Sequence, residues 1–329
     1  MTHEQETKDT SAAPSHPTDA QGKPAAPGGQ GKPRQHDKVT RMGTESIPRL
    51  ITEFAIPSIL GMLVNGAYNV IDSIFLGQAM GEIGLSTATV AMPVMTVFMA
   101  IAMLVGNGGN ALAALRMGEG KPEEAERSLG NTVTLSLIAS VVVAIVMFVP
   151  ACIDGLLSVS GATPEDWDYA MQFIRIISLG FIFQCIGMGV NNFIRTAGAP
   201  NRALGTMIIG AVACTAFNAL FVLVMGMGVV GSALATVCGQ AISCATVLWY
   251  FCLTKGVPMR LRLRMMPLHG ETVRLILSLG LASFAVQAGM AAVNFVLNNL
   301  LNMYGAQSPI GAEGALASIG VVQRVASFV

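Results

Sequence analysis

Seven stretches of this chain stay apolar for about twenty residues or more, and an eighth begins near its end. An α-helix rises 1.5 Å per residue, so ~20 apolar residues cross a hydrocarbon core of ~30 Å. The runs extend from about Leu50 to Leu76, Leu85 to Leu115, Leu129 to Val149, Tyr169 to Phe193, Leu204 to Met225, Gly231 to Leu253 and Val273 to Met303, with the eighth opening near Ala315. Inside a bilayer every backbone polar group must be satisfied within the segment, which leaves helices for runs of this length. The fold class expected is therefore an all-α, polytopic membrane protein.

Composition agrees, with 53% hydrophobic and 12% charged residues, against about a quarter charged in soluble domains. Residues 1–46, rich in Pro, Gly, Ser, Gln and Lys, have no apolar periodicity and read as a disordered tail. No apolar segment follows the initial Met in the manner of a secretory signal. The six cysteines fall in or beside apolar spans without metal-site spacing, and read as small buried residues rather than a disulfide framework.

Basic residues set an orientation. Seven Lys and Arg precede the first span, counting Arg49 at its edge. Arg116, Lys121 and Arg127 follow the second, Arg195 and Arg202 the fourth, and Lys255, Arg260, Arg262, Arg264 and Arg274 the sixth. The alternate connections, around 77–84, 150–168, 226–230 and 304–314, contain neither Lys nor Arg. The positive-inside rule then places the N-terminus in the cytoplasm. Domains follow: the tail 1–46, six spans over 47–254, a cytoplasmic linker 255–272, and a further unit from 273 to 329.

Asp72 is the one carboxylate deep in the first span. Such an acid is costly in hydrocarbon and normally faces a bundle interior or a wet cavity. Ser58, Gly61, Asn65, Asn69 and Asp72 share one helical face. Pro57, Gly61 and Gly66 soften this span and suggest a bend. The fifth span offers Cys214, Thr215 and Asn218, and the sixth presents Ser232, Thr236, Gln240 and Ser243 along one face. Oxygen-rich faces with one acid suit a proton or a hard cation such as Na⁺. An interhelical hydrogen-bond network kept for packing, at ~0.6 kcal/mol per contact, is the other reading.

The run Gly226-Met227-Gly228-Val229-Val230-Gly231 has the dinucleotide-binding spacing but joins two apolar spans and lacks the later acid, so it reads as a tight helical hairpin turn. Lys121-Pro122-Glu123-Glu124 reads as a helix start. A shift of 225 residues lays Arg274-Leu275-Ile276 on Arg49-Leu50-Ile51, Ser283 on Ser58 and Asn294 on Asn69, with Leu297 in place of Asp72. The seventh span thus has its own polar stripe of Ser283, Gln287, Asn294 and Asn298. Start to start the copies are six spans apart, an even number that makes them parallel repeats, an arrangement associated with alternating access. Val329 falls inside the eighth span, so the expectation is a fragment of a twelve-span protein.

Arg49-Leu50, Pro57 and Tyr68 to Gly77 together resemble the first helix of the multidrug and toxic compound extrusion (MATE) family. So do Arg195-Thr196-Ala197-Gly198-Ala199-Pro200 after the fourth span and the run from Gly226 to Thr236 leading into the sixth. The resemblance covers the chain from about residue 47 onward. It implies two six-helix lobes around a central cavity, with this chain holding the first lobe and one to two helices of the second. By position it implies a coupling-ion site for H⁺ or Na⁺ at Asp72, Asn218 and Thr236. The fifth helix departs from the family's Asn-x-x-x-Asp, reading Cys214 and Asn218 at those places.

The expected function is a cation-coupled antiporter exporting organic cations or amphipathic molecules, embedded in the cell membrane. Asn65, Asn69, Gln240, Gln287 and Asn294 are the expected cavity-lining residues. Beyond the coupling ion no cofactor is expected, and beyond the bilayer and a small substrate no nucleic acid or obligate protein partner. A flippase for lipid-linked or polysaccharide substrates would want more cavity cations than Arg175 and Arg324 supply. A receptor or channel sits poorly with the repeat and with the missing charge ring. An enzyme is not expected, since no acid/base or nucleophile pair stands at helical spacing.

Overall fold

The structure is a computed structural model describing residues 47–254, 257–305 and 311–326; the tail expected to be disordered lies outside the described residues. The described chain is helical, without strands, in the order α1 (Ile47–Gly118), α2 (Pro122–Phe148), α3 (Pro150–Val159), α4 (Trp167–Thr196), α5 (Pro200–Asn218), α6 (Gly228–Leu253), α7 (Gly270–Gly305) and α8 (Gly311–Ala326). Six of these are long and apolar enough to cross a membrane.

The first is long enough to cross twice. Its 72 residues would reach roughly 108 Å if straight, more than three bilayer cores. The helix breaks at Gly81, with φ 62° and ψ −137°, dihedrals that glycine reaches without a Cβ clash. Around that break the chain doubles back. A methyl at Gly77 would lie 3.5 Å from the Leu85 side chain, and one at Gly84 would lie 2.9 Å from the Leu76 carbonyl oxygen. In a straight helix residues eight apart stand ~12 Å apart along the axis. The outer connection expected over 77–84 is thus a break at one residue. Helical dihedrals continue through Pro57 and Gly66, and the break in this helix falls at Gly81. Pro57 frees only the carbonyl of Glu53, an exposed residue.

Other elements start where local chemistry dictates. Pro122 opens α2 with Glu123 and Glu124 in its first turn, matching the helix dipole. The expected loop over 150–168 contains α3, which begins with Pro150 and buries Ile153 and Leu157, one turn apart, against α4. A six-residue π-helix, Ala219–Val224, follows α5, and the turn into α6 uses Gly226 at φ 66° and Gly228 at φ 53°. That confirms the hairpin reading of the glycine run. The start of α7, Gly270, lies three residues ahead of the expected Val273, and α8 opens at Gly311 rather than near Ala315.

The apolar distribution suits hydrocarbon on the outside. Ile138, Val141, Val142 and Ile145 make an exposed face on α2, and Val286, Met290, Val293 and Val296 make one on α7. Two interior clusters hold the helices together. One gathers Val94, Phe98, Ile153, Ile174 and Phe181, and the other Leu129, Val190, Phe193 and Phe251. The six cysteines are free as expected, but Cys152 and Cys252 are exposed. A small apolar side chain is tolerated on a face turned to lipid, so burial was not required of them.

The second arm of α1 packs against α7 along a seam. At one end, methyls at Gly108 and Gly280 would collide with the carbonyls of Ile276 and Leu104. Absent side chains therefore let the two backbones touch. At the other end the amide of Asn298 donates to the Thr89 carbonyl at 3.1 Å. Asn299 and Asn302 donate to the carbonyls of Val159 and Gly161, at the end of α3.

Candidate functional site

Three helices of the first lobe each aim one pair of residues, spaced four apart, at a common point: Tyr68 and Asp72 on α1, Cys214 and Asn218 on α5, Ser232 and Thr236 on α6. In the first tier the Asn218 Nδ2 donates to Asp72 Oδ1 at 2.9 Å, and the Ser232 hydroxyl donates to the same oxygen at 3.0 Å. In the second tier Tyr68 and Thr236 share a hydrogen bond of 3.4 Å between their hydroxyls. A contact of 3.7 Å from Asn218 Nδ2 to Cys214 Sγ joins the tiers.

Local sequence makes this convergence possible. A methyl at Gly239 would lie 2.6 Å from the Cys214 Cβ, so glycine there lets α5 and α6 approach closely. The π-helix begins immediately after Asn218, and wide turns of this kind are frequent at functional sites. Asn218, Ser232, Thr236 and Cys214 are all buried, while Asp72 is part-buried.

The Asn218 amide and the Ser232 hydroxyl both donate to Asp72 Oδ1, an arrangement that suits an ionised carboxylate. The carbonyl oxygen of Asn218 is buried without a partner in the structure. An open acceptor next to a carboxylate is a place where a proton donor or a cation would be held. Chemically the cluster can accept positive charge.

Of the residues singled out by sequence, Asp72, Asn218 and Thr236 come together. Gln240 stands one turn beyond Thr236, its Oε1 buried and without a partner in the structure. Asn65 is exposed, and the Asn69 side chain lies outside the described residues. Asn294 accepts from Gln323 of α8 at 3.3 Å; Gln287 is part-buried on α7. Neither α7 residue is hydrogen-bonded to the Asp72 cluster. Tyr68 was missed, and Ser232, though read on the polar face of the sixth span, was not assigned to the ion site. Each stands one turn from a residue that was named, and that spacing was the available signal. A separate polar chain, also unforeseen, runs from Asn192 of α4 to Asn107 of α1 at 3.0 Å and on to Ser283 of α7 at 3.1 Å.

The MatE family pattern matches residues 57–220, a segment that includes both Asp72 and Asn218. The chain belongs to the MATE family. Among solved structures it is similar to the MATE multidrug transporter DinF-BH, at 32% identity and a TM-score of 0.80, covering 87% of this chain and 62% of that one. A MATE family transporter in an inward-facing conformation, 23% identical with a TM-score of 0.71, shows the same fold over 88% of this chain and 60% of that one. Among curated relatives, the multidrug export protein MepA of Staphylococcus haemolyticus is 23% identical over 287 residues, 86% of this chain and 60% of its own length. The probable multidrug resistance protein YoeA of Bacillus subtilis is 24% identical over 294 residues, again 86% of this chain and 61% of its own. The chain thus spans about 60% of the length of the curated relatives it matches.

Proposed function

We propose that this chain serves a cation-coupled antiporter of the cell membrane, its N-terminus cytoplasmic, that exports organic cations or amphipathic molecules by alternating access. The observation that carries this reading is Asp72, a carboxylate within a membrane-spanning helix, held by Asn218 at 2.9 Å and Ser232 at 3.0 Å from two other helices. An acid so placed joins α1, α5 and α6 while ionised, and binding of a cation there redistributes those bonds. The coupling ion can shift the inward and outward states only through its different affinity for them. Breaking or forming the α5 and α6 links to α1 supplies that difference. Cys214 places sulfur where an oxygen would better serve a hard cation, which weights the proposal toward the proton. The exporters among the relatives supply the substrate class.

The test is efflux from proteoliposomes under an imposed pH or Na⁺ gradient, comparing the native sequence with Asp72→Asn in the full-length protein. Efflux driven by one gradient and lost in the variant identifies the ion and the residue. Efflux unchanged in Asp72→Asn overturns the assignment.

A further inference from the structure

The segment joining α6 to α7 carries a cluster of charge that the Asp72 site does not use. From Val257 to Arg264 it alternates: Val257 and Met259 are buried and Leu261 part-buried, while Arg260, Arg262 and Arg264 are exposed. The exposed arginines thus sit on the side of the segment away from the buried apolar residues, and a short 3-10 turn, Leu263–Met265, carries Arg264. The segment does not hang free. The Arg260 amide donates to Glu126 Oε1 at 3.0 Å, and the Thr134 hydroxyl donates to the Met266 carbonyl at 2.9 Å. The His269 amide donates to Asn131 Oδ1 at 3.1 Å. Opposite the Met265 carbonyl stands Gly130, where any side chain would collide. One face of α2 is therefore built to receive this segment, and the arginines are displayed from a fixed backbone.

Between the segment and the start of α2 lies a cavity of about 380 Å³, lined by Arg127, Arg262, Arg264, His269 and Glu123. Arg262 pairs with Glu126 at 3.3 Å. Arg127 and Arg264 form no ion pair among the described residues, and Glu123, one turn before Arg127, does not reach it. Two guanidinium groups thus face a preformed hollow with their donors uncommitted. Planar forks of this kind suit phosphate oxygens. The hollow lies at the beginnings of α2 and α7, both long enough to span a membrane, and helices that span the core would bring their ends near a headgroup layer.

We propose that this cavity binds a phosphate-bearing anion, through Arg127 and Arg264 with Arg262 and His269 alongside. Two sources offer that chemistry: the headgroup of an anionic phospholipid and free phosphate. The proposal is independent of the coupling reading, and the experiment needs no transport.

The purified full chain, in neutral detergent, is melted with added phosphatidylglycerol, phosphatidylcholine or inorganic phosphate, and the same lipids are counted on the protein by native mass spectrometry. The comparison includes Arg127→Gln/Arg264→Gln and Lys121→Gln, the latter removing charge nearby but outside the cavity. Phosphatidylglycerol is expected to raise the midpoint by several degrees in the native chain and in Lys121→Gln, with most of the gain lost in the double variant and in high salt. A gain from inorganic phosphate as well identifies free phosphate as sufficient; a gain from the lipid alone identifies the headgroup. If the double variant does not fold, preferential retention of phosphatidylglycerol by the native chain and its loss in Arg264→Gln alone carry the test. No preference over phosphatidylcholine with no response to phosphate overturns the proposal, as does an undiminished gain in the folded double variant.

Discussion

Asn298 of α7 donates its side-chain amide to the Thr89 carbonyl of α1 at 3.1 Å. That carbonyl would ordinarily accept from residue 93, four positions on, but residue 93 is proline and has no N–H. A helix-breaking residue in one element is thus matched by an amide in another. Asn298 is 2% exposed, so water does not substitute for it.

Asn298→Ala strands a buried acceptor and is expected to cost about 1–3 kcal/mol. Pro93→Ala restores a donor within α1 and should make the same change cheaper. A double-mutant cycle read by thermal melting in detergent decides this. Equal costs in both backgrounds would show that the Thr89 carbonyl is not what Asn298 serves.

Asn218→Ala removes the hydrogen bond of 2.9 Å from Asn218 to Asp72. Bonds to a charged group contribute about 1.5–3 kcal/mol, so gradient-driven efflux should fall about tenfold or more at fixed ion concentration. Cys214→Ser replaces a sulfur whose contact is only 3.7 Å and should leave most activity. Initial efflux rates from proteoliposomes check both; the reverse ranking would remove Asn218 from the site.

Gly280→Ala pushes a methyl into the Leu104 carbonyl. Overpacking of this kind costs typically about 1–3 kcal/mol. Gly289→Ala, on the same helix with open space around it, is the control and should be neutral or slightly stabilising. Melting midpoints of the two variants make the comparison.

Asp166, in the connection before α4, is completely buried. Its Oδ1 accepts from the Thr163 amide at 2.8 Å and its Oδ2 from the Ser86 hydroxyl at 3.1 Å. Burial raises its pKa above the ordinary aspartate value, with those hydrogen bonds opposing the rise. A raised carboxylate favours the fold below the unfolded-state pKa, and that contribution is lost as pH rises through the folded-state value. Asp166→Asn keeps an acceptor for Thr163 and gains a donor for Ser86. Its melting midpoint should therefore gain on the native chain as pH is raised from about 4. A gap that is flat with pH would rule out this titration.

Much of the fold could be read from residue order, because length and apolarity fix a membrane-spanning helix with little help from its neighbours. Asp72 was equally visible, being a lone acid in such a run. The hairpin at Gly81 was hidden because a glycine's dihedrals are chosen by the contacts around it, here Gly77 with Leu85. The short α3 was hidden by a length too small to span, though its buried pair, Ile153 and Leu157, had helical spacing. Asn302 and Gly161 could not be paired from sequence, since every residue offers a carbonyl and none advertises which will lack a donor. Thr89 is the exception, because Pro93 announces it.

The acceptor under Asn298 also constrains what can enter between α1 and α7. Acyl chains offer no hydrogen bonds, and an unmet carbonyl in hydrocarbon costs several kcal/mol. Parting α7 from α1 at that end would leave the buried Thr89 oxygen bare unless water came in with the movement. The seam can part there as a hydrated gap far more readily than as a greasy one, which bars that end to lipid tails.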